Sequence, residues 1–408
     1  MKAKQNKRKK WMHFRHRVVR NLAFAVLGPY SYFTYGVRIK KFKGQGKRSY
    51  LVLFNHQTAF DQFFVGMAFR GPIYYLASED LFSNGLTSSL IRYLVAPIPI
   101  KKQTTDVRAI MNMLRVAREG GTIALAPEGN RTFSGKTEYM SPSIVPLAKK
   151  MGLPIALYRL EGGYGVHPRW SDVVRKGRMT GHVSRVIEPE DYGNMTDEEL
   201  FKLITDELYV NEATANARFR HKKSAEYLER ALYVCPDCGL SSLESHNDTI
   251  TCNRCGKQIR YLPTKELEGV NCTFPFRFVS DWYDYQSEFV SDLDLTPYMS
   301  TPLYCDRVNL FRVIPYEKKI PLRRNVNMLL YGDRIRIQRE DEQDMVFPFE
   351  STSAVTILGK NKLNIYYDGN IYQIKGEKRF NALKYVHIYN HYKNISKGET
   401  KHGEFLGL

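Results

Sequence analysis

The 408-residue sequence predicts an α/β domain, then a small four-cysteine metal module, then a β-rich domain closed by one helix. Three observations predict this order. Between residues 48 and 190, short apolar runs alternate with helical periods, the pattern of strands wound with helices. Two Cys-x2-Cys pairs follow, Cys235/Cys238 and Cys252/Cys255. Beyond residue 263 helical signals become few, and strand-like runs bounded by turn residues take over. The expected segments are 1–40, basic and aromatic-rich; 41–230, the α/β domain; 231–262, the metal module; and 263–408, the β-rich domain.

Residues 1–20 hold nine Lys or Arg and no Asp or Glu. The net charge of +19 implies an acidic partner surface: nucleic acid, anionic lipid or a phosphorylated substrate. Between residues 11 and 36, basic residues mix with Trp11, Phe14, Phe24, Tyr30, Tyr32, Phe33 and Tyr35. A segment of that kind can lie in a bilayer interface, drawn to anionic lipid. No apolar run reaches the about 18 residues of a spanning helix. The best candidate, Leu22 to Leu27, is expected to stop at Gly28-Pro29. No signal-peptide pattern is present. These features predict a cytoplasmic chain, peripheral or monotopic on the inner face of a membrane.

In the α/β segment, Tyr50–Phe54 reads as a buried strand and Phe60–Phe69 as a helix. Ile73–Ala77 is a short strand, and Leu94–Ile100 leads into Lys101-Lys102. Val107, Ile110, Met111, Leu114 and Ala117 have a helical period, with Thr104, Thr105 or Asp106 as cap and Gly120-Gly121 as stop. Thr122–Ala126, Leu153–Tyr158 and His182–Ile187 are further strands. Thr196-Asp197-Glu198-Glu199 is a capping box, and helical sequence is expected to continue, with breaks, to about Tyr233.

Two stretches stand at strand ends. Asn55-His56-Gln57-Thr58-Ala59-Phe60-Asp61 joins the first strand to the first helix. His56 and Asp61 can meet only if His56 precedes the first full turn and Asp61 lies inside the helix, since residues five apart otherwise diverge by about 140°. Such a pair makes a base and its orienter. The second stretch, Pro127-Glu128-Gly129-Asn130-Arg131-Thr132, lies about seventy residues later.

Together these stretches resemble the glycerolipid acyltransferase family, whose first motif is Asn-His-x4-Asp and whose third is Pro-Glu-Gly-Thr-Arg-Ser. Two weaker matches accompany them. Ile98-Pro99-Ile100-Lys101-Lys102 is similar to the second motif, with Lys102 where Arg is usual, and Leu153-Pro154-Ile155 to the fourth. The resemblance covers roughly residues 50–190. It implies the glycerolipid acyltransferase fold and the transfer of a fatty acyl group, without an acyl-enzyme. The donor is acyl-CoA or acyl carrier protein, and the acceptor is the hydroxyl of a lysophospholipid, most simply lysophosphatidate giving phosphatidate. Glycerol 3-phosphate and other lysophospholipids are alternative acceptors. It further implies His56 as general base, Asp61 as its orienter, and Glu128, Gly129, Arg131 and Lys102 at the acceptor. Glu128 cannot itself favour an anion, so its expected role is to fix Arg131 or a substrate hydroxyl. The departures, Lys102, Asn130 and Thr132, bear on the acceptor and not on the reaction type.

Four thiolates at Cys235, Cys238, Cys252 and Cys255 suit tetrahedral Zn²⁺ with no open position, so the ion is expected to be structural, in a zinc ribbon. Gly239 and Gly256 follow each pair and free the backbone to turn around sulfur. Cys272 and Cys305 are expected in the core. In the last segment, strand-like runs occur at 309–314, 327–330, 334–338, 345–349, 354–358, 363–367 and 371–375, with turns at Tyr331-Gly332-Asp333 and Tyr367-Asp368-Gly369-Asn370. A helix at 380–391 ends the pattern, which resembles the pleckstrin-homology-like architecture. It would serve as a lipid or protein docking module, or only steady the enzyme. Two rivals from other classes are a zinc-ribbon nucleic-acid-binding protein and an inactive lipid-binding scaffold. Nucleic acid fits poorly, since Leu240 to Thr251 carries no Lys or Arg.

Overall fold

A computed structural model describes residues 10–83, 85–100, 106–215, 217–314, 317–338 and 343–398. In chain order the first half holds α1 (Phe14–Tyr35), β1 (Val37–Ile39), β2 (Leu51–Phe54), α2 (Asp61–Ala68), β3 (Ile73–Ser78), α3 (Leu86–Val95), β4 (Ile98–Ile100) and α4 (Val107–Arg118). There follow β5 (Thr122–Leu125), α5 (Ile144–Met151), β6 (Ile155–Glu161), α6 (Gly163–Val166), β7 (Met179–Ile187), α7 (Pro189–Gly193) and α8 (Asp197–Leu208). The seven strands form one sheet in the order β1-β7-β6-β2-β5-β3-β4. Strands β6, β2, β5, β3 and β4 run parallel, whereas β7 is antiparallel to β6. The central strands are unbroken apolar runs because both faces are covered. Leu51 and Leu53 pack with Met113, Val116 and Ala148 on one face, and Val52 with Phe64, Val65 and Tyr35 on the other.

Local chemistry explains the element ends. Asp106 caps α4, its carboxylate accepting from the amides of Arg108 and Ala109. The Thr196/Glu199 capping box opens α8 as expected.

Three expectations are corrected. Helix α1 does not stop at Gly28-Pro29 but carries Pro29 inside it. Pro29 and Ala25, whose carbonyl loses its partner, are both exposed, so the missing bond faces outward. The run Leu94–Ile100, read as one stretch, is divided: Leu94 and Val95 end helix α3, and β4 begins at Ile98. Between Leu208 and Tyr233 the described residues are not helical, apart from one 3₁₀ turn at Leu228–Arg230. Amides there are instead satisfied by other segments: Arg220 N donates to Lys176 O (2.9 Å), Phe219 N to Pro263 O (2.7 Å) and Ala225 N to Asn247 O (2.7 Å).

The second half begins with the paired strands β8 (Val234–Cys235) and β9 (Gly239–Leu240). Strands β10 (Leu243–His246), β11 (Thr249–Cys252), β12 (Gln258–Tyr261) and β13 (Leu267–Gly269) form an antiparallel sheet. Helix α9 (Val279–Ser291) comes next, and was not expected. Then come β14 (Tyr304–Val313), β15 (Ile320–Leu330), β16 (Arg334–Ile337), β17 (Met345–Pro348), β18 (Thr352–Leu358), β19 (Lys362–Tyr367), β20 (Asn370–Gly376) and α10 (Leu383–Ser396). These seven strands make one antiparallel sheet, ordered β17-β16-β15-β14-β20-β19-β18, with α10 packed across it. The Tyr389 hydroxyl of α10 donates to Thr352 O at 2.9 Å. Cys305 is exposed and Cys272 half-buried, so neither is the core residue expected. Phe133, Tyr164 and Trp170 of the first half share one apolar cluster with Tyr261, Trp282, Ile357 and Tyr389. The two halves are therefore packed through a common core.

Candidate active site

Strands β5, β2 and β6 are parallel neighbours, so their C-terminal ends open on one edge of the sheet. That edge is where open α/β sheets place their ligands. The loop after β2 carries His56 and Asp61, and the loop after β5 carries Glu128 to Arg131. Asn55 ties β2 to β6: its Nδ2 donates to Leu160 O (2.8 Å) and its Oδ1 accepts from Leu160 N (2.7 Å).

Asp61 is the first residue of α2 and is fully buried. Its Oδ2 meets His56 Nδ1 at 2.8 Å and accepts from the Gln57 amide at 2.6 Å. The Thr58 amide and hydroxyl also donate to this carboxylate. A carboxylate at a helix N-terminus is favoured by the exposed amides there. Because Oδ2 can only accept, Nδ1 carries the ring proton and Nε2 is left as the basic nitrogen. Burial pushes the His56 imidazole below its ordinary pKa; Asp61 opposes this, and the Arg131 and Arg169 charges add to it. The ring is therefore neutral at pH 7.

Glu128 is buried beside the His56 backbone. Its Oε1 accepts from the His56 amide (2.6 Å) and its Oε2 from the Glu138 amide (2.8 Å). The carboxylate thus meets the His56 backbone and not the Arg131 guanidinium. Burial raises its pKa well above the usual range, although both amides pull the other way. Gly129 sits at φ 63°, a left-handed conformation that a side chain would strain. Arg131 follows, and its Nη1 is buried without a hydrogen-bond partner among the described residues. Thr132 takes part in the same turn, its amide donating to His56 O at 3.3 Å and its Oγ1 accepting from Gly135 N at 2.9 Å. Lys102 lies outside the described residues.

A third loop, after β6, carried no motif. Gln57 Oε1 accepts from the amides of Gly163 (2.8 Å) and Tyr164 (3.3 Å) at the start of α6. Arg169 is buried and donates from Nη1 to Arg131 O at 2.7 Å. Its sequence signal was only the dense run His167-Pro168-Arg169-Trp170.

In the second half of the chain, the sulfurs of Cys235, Cys238, Cys252 and Cys255 all lie within 4.8 Å of one another. Cys235 and Cys255 Sγ are 3.7 Å apart. Four bonds of about 2.3 Å in a tetrahedron put sulfurs about 3.8 Å apart, so the cluster fits a metal ion. Gly239 (φ 70°) and Gly256 (φ 72°) take the left-handed conformation that the knuckles require.

On the β2 and β5 edge an imidazole held by a carboxylate therefore stands within the field of the Arg131 guanidinium. The family described as Acyltransferase matches residues 37–157, a span that contains both motif stretches. This part of the chain is therefore a domain of the acyltransferase family, as the motif resemblance implied. Among solved structures the chain is similar to the 1-acyl-sn-glycerophosphate (LPA) acyltransferase PlsC from Thermotoga maritima. The two are 21% identical over 47% of this chain and 75% of that one, with a TM-score of 0.38. No curated protein matches the chain.

Proposed function

We propose that the chain moves a fatty acyl group from the thioester of acyl-CoA or acyl carrier protein to the free hydroxyl of a lysophospholipid, with lysophosphatidate the first choice. The observation that carries this reading is the His56 Nδ1–Asp61 Oδ2 contact of 2.8 Å, beside the unpartnered guanidinium of Arg131. His56 Nε2 takes the hydroxyl proton as the oxygen attacks the thioester carbonyl. The tetrahedral adduct collapses, the C–S bond breaks, and the imidazolium returns the proton to the leaving thiolate. Asp61 holds the tautomer and stabilises the imidazolium, help worth about a hundred- to ten-thousand-fold. Glu128 fixes the backbone of the base, Gly129 lets the loop turn, Arg131 binds the acceptor phosphate as a planar fork, and Lys102 is assigned to the acceptor as a second basic group. Glycerol 3-phosphate and other lysophospholipids remain the acceptor alternatives.

The reading includes a membrane surface. Helix α1 exposes Phe14, Leu22, Val26 and Phe33, and α3 beside it exposes Leu86, Leu90 and Tyr93. Arg15 stacks on Tyr93, a basic and aromatic pairing suited to an anionic interface. No described helix is long and apolar enough to cross a membrane. The four cysteines hold a structural Zn²⁺ in this account, and the C-terminal sheet is a docking or steadying module. A panel of lysophospholipids and glycerol 3-phosphate, offered with acyl-CoA or acyl carrier protein to the purified chain in liposomes, tests the reading. Acylated product from one phosphate-bearing acceptor supports it. No product from any of them, in folded and zinc-loaded protein, moves the account to a lipid-binding scaffold.

A further inference from the structure

The β6 loop holds a group that the acyl-transfer chemistry above does not use. His167 is buried, and neither ring nitrogen has a hydrogen-bond partner among the described residues. A buried polar ring without partners is costly, and such groups mark places where something else binds. Its position is fixed by the active-site loops. Four residues earlier, Gly163 is bound by Gln57, which adjoins His56; two residues later, Arg169 is bound to Arg131 O. Its ring lies 5.9 Å from that of Tyr35, which also packs on Phe60 in the His56 loop.

The C-terminal sheet reaches the same place. The turn between β18 and β19 clasps the β6 loop from outside. Arg169 donates to Gly359 O (2.8 Å) in that turn and to Ile357 O (3.3 Å) near the end of β18. Lys360, at the turn itself, donates to Ser171 O and to Asp172 Oδ1 (3.0 Å). Asp172 is shared with Arg230, so it offsets only part of the local positive charge. Burial, then the charges of Lys360, Arg131 and Arg175, push His167 down to about 4, with Asp172 opposing. Burial lowers the Lys360 pKa, Asp172 opposes, and the charges of Arg230 and Arg131 add to the lowering. The cations acting on this imidazole, Lys360, Arg131 and Arg175, outnumber the carboxylate that opposes them, Asp172, and the ring nitrogens have no hydrogen-bond partner among the described residues.

We propose that His167 and Lys360 bind the acceptor's phosphate together with Arg131, so that the C-terminal sheet contributes a ligand to the active site. This rests on the reading of Arg131 as an acceptor-phosphate residue. A phosphate gives the Arg131 Nη1 and a His167 ring nitrogen the acceptor each lacks. It also relieves the repulsion among the cations. Lys360 has a third ammonium proton beyond its bonds to Ser171 and Asp172. The acyltransferase motifs alone would then form an incomplete phosphate site in this chain.

The test is calorimetric binding of glycerol 3-phosphate, and of lysophosphatidate in detergent micelles, to the full zinc-loaded chain. The variants are Arg131→Met, His167→Leu, Lys360→Met and Lys360→Arg, each with its melting temperature. The proposal expects His167→Leu and Lys360→Met to weaken phosphate binding about tenfold, since a charged hydrogen bond is lost in each case. Lys360→Arg should stay within about threefold, and the KM for acyl-CoA should not move. Binding lost in Arg131→Met but unchanged in the other two overturns this inference and leaves the acceptor reading standing. Equal loss in Lys360→Met and Lys360→Arg with a lowered melting temperature makes Lys360 structural and also overturns it. No binding of either phosphate ligand by the unmutated chain overturns both readings.

Discussion

Replacing Asp61 by Asn separates the two roles assigned to this residue. The shape is kept and the charge removed. In the structure one carboxylate receives the His56 ring, two backbone amides and the Thr58 hydroxyl. Asn offers one acceptor oxygen and one donor group in the same space. With the oxygen turned towards His56 and Gln57, the amino group faces the Thr58 hydroxyl, which can rotate to accept. The bonds to a charged acceptor become bonds to a neutral one, a loss of about 0.5–1 kcal/mol each, or about 2 kcal/mol together. The chain should therefore fold, with melting lowered by several degrees. Catalysis should suffer far more, because the imidazolium that forms during transfer loses its counter-charge: kcat falls about a hundred- to ten-thousand-fold with the acceptor KM little changed. The pH profile adds a sign. Burial holds His56 below its ordinary value of about 6.5, so the acid limb of kcat/KM lies below that pH in the unmutated enzyme. Asp61 opposes the lowering, so its removal moves the limb to still lower pH. The assay is release of the thiol from acyl-CoA at saturating acceptor between pH 4.5 and 8. A variant that keeps a kcat within about threefold of the parent, or whose acid limb moves up, refutes the assignment.

Three further outcomes are expected. Glu128→Gln sets an amino group against one of the two amides the carboxylate now receives, so it should cost about 1–3 kcal/mol in denaturant unfolding and lower kcat by moving the His56 backbone; an unchanged midpoint would contradict the geometry. The four-cysteine cluster should bind one Zn²⁺ per chain. Its removal by chelator, or by Cys235→Ser, should shift tryptophan emission, because Trp282 Nε1 donates to Val234 O beside the first ligand; metal-free protein with the same emission and melting would sink the zinc assignment. Replacing Phe14, Leu22, Val26 and Phe33 by Ser should release the chain from anionic liposomes in a flotation assay while leaving its fold intact, since all four are exposed on α1; undiminished flotation would place the membrane surface elsewhere.

What the sequence made legible follows from where the determining forces act. The parallel strands β2, β5 and β6 are short apolar runs whose burial on both faces writes itself into composition. The α8 capping box and the Asp106 cap are local hydrogen bonds, complete within four residues. His56 and Asp61 were legible for the same reason: five residues suffice to build the contact. The seven strands of the last sheet were legible from alternation and turn residues, with Asp368 (φ 47°) and Gly369 (φ 68°) in the left-handed region at the hairpin. Helix α9 was hidden because Trp282, Tyr283, Tyr285 and Phe289 are strand-favouring residues. Its buried Val279, Trp282, Gln286 and Val290 do keep a helical spacing. The chain after Leu208 gave helical expectations because its residues favour helix, whereas the amides of Glu212, Phe219, Arg220 and Ala225 are taken by distant segments that no local pattern records. Arg169, His167 and Lys360 were invisible for that reason too. Their partners lie up to 190 residues away, and only the fold brings Gly359 to Arg169.

The central claim is acyl transfer with His56 as the base, and one measurement tests it most directly. Phosphatidate formed from lysophosphatidate and acyl-CoA is followed for the unmutated chain and for His56→Ala, both folded and zinc-loaded. The account predicts product from the first and a loss of at least about a hundredfold in the second, at unchanged melting temperature. Equal product from both would contradict it.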